Sequence, residues 1–234
     1  MKIRLIIFFL SQILWIASSA QSPVRFYENG KVGYKTASGQ ILVPATYDAG
    51  GDFSEGFAIV IKNRKRGYIN AEGKVAIELQ YDDAGQFKNG MARVAKNGLY
   101  GFINTTGEIL IPLTYVMADD FYENRARVKV GDKYGFIDSK NTMVIPAIYV
   151  NANNFSEGLA SVQKDGKWGF IDVSGLTVIP FEYDQAYIFV KGEAKVRKGD
   201  KNFFISKKNK FIREEENKHE EREREERERE RRKK

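Results

Sequence analysis

Between about residues 24 and 212, apolar side chains recur at every second position in short runs, as in Ala58-x-Val60 and Ile109-x-Ile111. That spacing places alternate residues on one face of an extended chain and predicts strands. The runs themselves repeat. Gly followed by an aromatic residue stands at Gly33-Tyr34, Gly67-Tyr68, Gly101-Phe102, Gly135-Phe136 and Gly169-Phe170, at intervals of 34 residues without drift. Other columns keep step: Pro44, Pro112, Pro146 and Pro180; Tyr47, Tyr81, Tyr115, Tyr149 and Tyr183; Phe53, Phe87, Phe121, Phe155 and Phe189. Ala58, Ala92, Ala126, Ala160 and Ala194 are each followed two residues later by Val. A 34-residue period also suits paired helices. Recurrent Gly and Pro oppose that, since they cost about 1 and 3 kcal/mol in a helix interior.

Each unit reads as three strands. The first is Gly-aromatic-Ile. An Asp- or Asn-led turn follows, such as Asn104-Thr105-Thr106-Gly107, in which the leading side chain bonds the backbone ahead and Gly accepts positive φ. Asn141 and Asn209 stand in for that Gly, and Asn is the next most tolerant residue of the left-handed region. The second strand, such as Ile109-Leu110-Ile111, ends at the Pro. The third, such as Leu159 to Val162, enters the next unit through a Lys- and Gly-rich turn. On this reading strands two and three are parallel, joined by a crossing of about twelve residues in which the Tyr and Phe columns plug the interior. The fold class expected is all-β: tandem 34-residue three-stranded repeats in an open, solenoid-like array, with a closed propeller-like toroid as the alternative. Val24 and Phe26 form a partial leading unit, and Phe203-Phe204-Ile205 begins a sixth that stops near Ile212.

The ends differ in kind. Residues 1–20 have Lys2 and Arg4, an apolar run from Leu5 to Ala17, and small residues at Ser18-Ser19-Ala20, the order of a signal peptide. The run is short for a membrane span; an uncleaved anchor is the alternative. Export to the periplasm, outer surface or medium is therefore expected. Residues 213–234 carry ten Glu and ten Lys or Arg and no apolar side chain. Pairs such as Glu220–Arg224 have i,i+4 spacing with Glu first, so a solvated helix or a fluctuating coil is expected there. The repeat domain is assigned to residues 21–212.

Gly166-Lys167-Trp168-Gly169-Phe170-Ile171-Asp172, then Ile179-Pro180, Tyr183-Asp184 and Phe155-Ser156-Glu157-Gly158-Leu159-Ala160, resemble the WG-repeat (KWG) family of bacterial proteins. The resemblance covers about residues 24 to 212. The naming Trp occurs once; Val32, Arg66, Tyr100 and Tyr134 fill its column elsewhere, and Glu78 replaces the Pro. The resemblance implies a β repeat module, often exported or appended to other domains, and no catalytic residues.

Composition narrows the chemistry. Cys is absent, which excludes disulfides, thiolate zinc sites and thiol catalysis. The single His, His219, lies in the charged tail, so the body has no His-built triad or metal site. Asp138 and Asp172 share a column with Asn70 and Asn104, and an acid interchangeable with an amide is a turn former. Glu55 and Glu157 share theirs with Asn89 and read the same way. Asp82-Asp83 and Asp119-Asp120 are adjacent acids with no apolar wall in the pattern to raise a pKa. No phosphate-cradling Gly loop is present. Hence no enzyme activity, catalytic residue, metal site or cofactor is assigned.

The formal charge is +7 overall, and about +5 for the body, with 26 basic against 21 acidic residues. That mild excess does not call for nucleic acid. Basic residues do collect at the inter-unit turn: Lys62, Lys65, Lys96, Lys133, Lys164, Lys167, Lys198 and Lys201. Stacked units would align them as a candidate binding rim. The Tyr column reads as core rather than an aromatic ladder for sugars. The function expected is a non-catalytic exported scaffold or protein-interaction module. The alternative is an envelope binder of anionic polysaccharide or lipid headgroups through the Lys rim.

Overall fold

A computed structural model describes residues 22–215, and residues 1–20, where a signal peptide is expected, most of the charged tail and His219 lie outside the described residues. The described chain is all strand and turn. It forms six antiparallel sheets in chain order, over 24–47, 49–81, 83–115, 117–149, 151–183 and 185–214. The first has three strands and the other five have four. In the third sheet these are Asp83–Ala84, Met91–Lys96, Leu99–Asn104 and Ile109–Tyr115, each hydrogen-bonded to the next.

The expected three-stranded unit is thus corrected by one short strand, and the parallel crossing gives way to a meander. The second strand of the sequence reading does not stop at the Pro. It runs on to the Tyr, as Ile109–Tyr115 does through Pro112. One residue later the chain starts the next sheet with a strand usually only two residues long, such as Ala49–Gly50 or Gln185–Ala186. Proline is tolerated there because the strand lies at its sheet's edge, where a missing N–H costs no ladder bond. The sixth sheet also reaches past Ile212, through Glu214.

The repeated Gly has a geometric cause. Tyr100 pairs with Tyr115 while Phe102 pairs with Ile111, so the edge strand carries a bulge around Pro112. The bulge drives edge-strand carbonyls over the Gly of the neighbouring strand. A Cβ added at Gly67 would lie 2.5 Å from the Ile77 carbonyl oxygen, and one at Gly169 would lie 2.7 Å from that of Ile179.

The sheets stack through five apolar clusters, one per junction. At the junction of sheets three and four, Phe102, Ile111 and Tyr115 meet Ala118, Ala126, Val128 and Ile137. The ring after each repeated Gly packs on the Phe of the next sheet: Phe102–Phe121 and Phe136–Phe155 at 4.9 Å, Phe170–Phe189 at 5.0 Å and Tyr68–Phe87 at 4.8 Å. Such tilted pairs add about 0.5–1.5 kcal/mol beyond their area burial.

Among the described residues, no hydrogen bond or ion pair joins the first sheet to the sixth. Tyr27 and Phe211, on the two outermost sheets, are 67% and 62% exposed. The six small sheets follow one another as tandem β repeats, and none closes into a barrel.

Turn chemistry follows the columns. Gly107, Asn141 and Asn209 have φ of 87°, 64° and 57°, so Asn does replace Gly at a left-handed position. Each of these two Asn also gains a bond that Gly cannot make: the Tyr115 hydroxyl donates to Asn141 Oδ1 at 2.7 Å, and the Tyr183 hydroxyl to Asn209 Oδ1 at 2.5 Å.

Replacing Gly169 by Ala forces a backbone shift and is expected to cost about 1–3 kcal/mol, the range of overpacking. At Gly51 the nearest atom to an added Cβ is 3.9 Å away. Urea midpoints of the two variants check this: Gly169→Ala should drop and Gly51→Ala should stay near the parent.

Candidate functional site: the two rims of the stack

Each sheet exposes two kinds of edge. At one end of the strands lie tight hairpins, such as Asn63-Arg64, where both residues have positive φ. At the other end lie the loops carrying the Phe column. All eight lysines of the candidate rim flank the hairpins, and three pairs of them are register partners: Lys62 with Lys65, Lys164 with Lys167, and Lys198 with Lys201.

The rim is largely neutralised by a device built on residues 17 apart. Lys31 pairs with Asp48 at 2.6 Å, Lys65 with Asp82 at 2.5 Å and Lys167 with Asp184 at 2.6 Å. The other oxygen of each carboxylate accepts a backbone N–H from the next sheet's hairpin: Asn63, Asn97 and Gly199, respectively. One acid therefore clamps two successive hairpins. Lys198 pairs with Glu182 at 2.5 Å, Lys96 donates to Gln80 Oε1 at 2.8 Å, and Lys201 lies 3.9 Å from Glu214. Lys62, Lys133 and Lys164 make no ion pair or side-chain hydrogen bond with another described residue. The eight lysines share a rim, but five of them have partners.

The clamp is missing at two adjacent junctions. Val116 and Val150 occupy the Asp column, and Leu99 occupies the Lys column opposite Val116. Val130 replaces the Lys of Lys62, Lys96, Lys164 and Lys198, and Ile148 stands where Gln80 and Glu182 stand in their units. All five apolar side chains are exposed, Val116 by 50% and Leu99 by 39%. The rim of the third, fourth and fifth sheets is thus an apolar window beside Lys133 and Lys164. Column-by-column comparison of the units could have found it, but the Lys–Asp pairing that gives the departure meaning is visible only in three dimensions.

The loop end carries a second clamp. Glu55 accepts the N–H groups of Asn89 and Gly90, Glu123 that of Gly158, and Glu157 that of Gly192, each in the next unit. Ser54 and Ser156 donate to the carbonyls of Phe87 and Phe189. These residues serve the stack, as the sequence reading held.

The turn acids are also structural. Asp138 Oδ1 accepts from the Lys140 and Thr142 N–H groups, and Asp172 Oδ1 from those of Ser174 and Leu176. The adjacent acids are spent on arginines: Asp83 on Arg66 and Arg93, Asp119 on Arg127, and Asp120 on Arg93 and Lys88. The Tyr column is core, with Tyr81 and Tyr183 each 4% exposed. Burial, and then the Glu182 charge, pushes Tyr183 up to about 12.

In Asp48, Asp82 and Asp184 the bond from Lys, then the backbone N–H, holds the carboxyl below its usual range. A depressed native pKa stabilises the fold above the unfolded Asp value of about 3.9, and that contribution is lost as pH falls through the native value. The thermal midpoint should therefore decline on acidification below about pH 4. Replacing all three Asp by Asn should flatten part of that decline in a pH series of melts.

Comparison with known proteins adds a family and a fold. A family model described as WG containing repeat matches residues 33–65, 67–100, 100–134, 134–168 and 168–201. No curated protein matches the chain. Among solved structures, a eukaryotic initiation factor is similar at a TM-score of 0.52 and 11% identity, over 81% of this chain and 62% of that one. Hsv2p of Kluyveromyces lactis has a TM-score of 0.46 and 10% identity, over 71% and 62%. PorZ, a surface component of the type-IX secretion system of Porphyromonas gingivalis, has a TM-score of 0.38 and 10% identity, over 82% and 31%. The chain spans about six tenths of the length of the first of these structures. At such identities the likeness concerns fold alone.

Proposed function

This chain belongs to the WG-repeat family, and on that premise we propose that it is a non-catalytic, exported protein-interaction module. Export is read from the charged, apolar and small-residue order of residues 1–20. The observation that carries the interaction reading is the apolar window of Leu99, Val116, Val130, Ile148 and Val150, set in a rim that elsewhere pairs its charges. Exposed apolar clusters rimmed by polar residues mark protein contact sites.

Lys133 stands where Lys167 meets Asp184, but its counterpart is Val150; Lys164 stands where Lys198 meets Glu182, but its counterpart is Ile148. Two unpaired ammonium groups beside an apolar strip suit one occupant: a protein segment with an apolar run flanked by Asp or Glu. Anionic glycan or lipid binding through the lysines is the second reading, and the partnering of five of the eight argues against it.

The test uses the repeat unit's own alternatives. Leu99→Lys, Val116→Asp and Val150→Asp together install the clamp found at the other junctions, so the fold should keep its thermal midpoint. With a photo-crosslinker at position 130, the parent chain should capture one stoichiometric protein through an apolar, acid-flanked peptide. The triple variant should lose that capture. Capture that survives the triple variant contradicts the proposal. So does envelope binding released by salt and abolished by changing Lys62, Lys133 and Lys164 to Gln, which would favour the glycan or lipid reading. Self-association in sedimentation that the triple variant abolishes would assign the window to a second copy instead.

A further inference from the structure

A residue copied in every unit serves the stack, so a ligand site should show as departures gathered at one place. The loop end has such a place. Arg25 pairs with Asp52 at 2.8 Å, and Arg93 with Asp120 at 3.5 Å, in both cases 27 positions apart. The corresponding partner of Arg127 is Asn154, an amide. Arg127 turns instead to Asp119, at 2.6 Å, and to the Ala152 carbonyl. Asn154 Oδ1 is left buried with no hydrogen-bond donor. An unpaired buried acceptor costs about 1–3 kcal/mol and calls for an explanation.

Asn154 lines a cavity of about 290 Å³ with Tyr122, Arg127, Asn153, Phe155, Ser156 and Ile188. Tyr122 is the one aromatic residue in its column, where Ser54, Lys88, Ser156 and Val190 stand in the other units. The fourth sheet is unusual here as well: its first strand runs Met117–Tyr122, where the corresponding strand of the neighbouring sheets has two residues.

Most of the cavity's charges and several of its donors are already engaged. Arg127 is neutralised by Asp119. The Ser156 hydroxyl donates to the Phe189 carbonyl at 2.7 Å. Asn153 Nδ2 donates to Ser161 Oγ at 2.8 Å and to the Ala186 carbonyl at 3.3 Å. Lys88, whose ammonium lies 5.5 Å from the centre of the Tyr122 ring, is paired with Asp120. What remains is the Tyr122 hydroxyl, the Asn154 side-chain amide, Asn153 Oδ1 and the Ser156 lone pairs. Beside them lie the Tyr122 ring and the Ile188 side chain, both about 42% exposed.

We propose that this cavity binds one neutral sugar ring, its hydroxyl groups bonding to the side-chain amides of Asn154 and Asn153 and its apolar face resting on Tyr122 and Ile188. The volume lies at the small end of ligand sites, which run from about 300 to 1,000 Å³, and so fits one residue of a glycan rather than a long stretch. With Arg127 and Lys88 both paired, the cavity offers no free cation, which favours an uncharged sugar over an acidic one. The site is at the other end of the strands from the apolar window, and it stands whether or not that window binds a protein.

The test is saturation-transfer NMR on the full chain with glucose, galactose, N-acetylglucosamine and maltose, and with glucuronate as the charged control. At least one neutral sugar should receive saturation, and glucuronate should do no better. Asn154→Asp recreates the acid that faces Arg in the other units, so it should fold normally, pair with Arg127 and weaken binding at least tenfold. Tyr122→Ala, at an exposed position, should weaken it too, with an unchanged melt. No transfer to any neutral sugar would overturn the proposal and leave Asn154 to a buried water. Transfer that persists unchanged in both variants would overturn it as well.

Discussion

The structure depends on one close approach: the edge-strand carbonyls lying over the Cα of the Gly in each Gly-aromatic pair. At Gly67 and Gly169 there is no room for a Cβ. The approach lets a bulged, Pro-bearing edge strand close tightly on its neighbour. It also fixes the residue after the Gly with its ring aimed at the next sheet, 4.8–5.0 Å from the repeated Phe at four junctions. No single sheet has a core of its own. Each apolar cluster draws on two successive sheets, so stability is expected to be a sum of nearest-neighbour terms.

Polar groups follow the same nearest-neighbour rule. Asp clamps link hairpins at one rim, and Glu clamps link loops at the other. Exposed ion pairs contribute little each. Their effect here is to hold each hairpin in register with the next one. Where they fail, at Val116 and Val150, the apolar junction beneath still joins the sheets and the rim is free to differ. That separation of load and surface lets one stretch of rim change character without loss of fold.

Much of the fold was legible in the sequence, because a repeat shows each structural requirement five times over. The turn role of Asp138 and Asp172 followed from Asn70 and Asn104 in the same column, and Asn141 and Asn209 do take positive φ. The fourth strand was not legible. Two residues such as Ala49–Gly50 carry no periodicity, and the bulge at the Pro breaks the alternation that would have carried the previous strand on to the Tyr. The lysines all flank the hairpin turns, but the partners of Lys65, Lys96, Lys167 and Lys198 lie 16 or 17 residues away, beyond any local pattern. The cavity at Asn154 draws on Tyr122 and Arg127 from the fourth sheet and on Ile188 from the loop of the sixth, and only the fold brings them together.

Amide hydrogen exchange along the full chain tests the account most directly. Protection should repeat with the 34-residue period, be slowest in the Ala-x-Val strands of the interior sheets, such as Met91–Lys96 and Leu159–Lys164, and be weakest at Val24–Glu28 and Phe211–Glu214. A single protected block unrelated to that period would contradict a stack held together junction by junction.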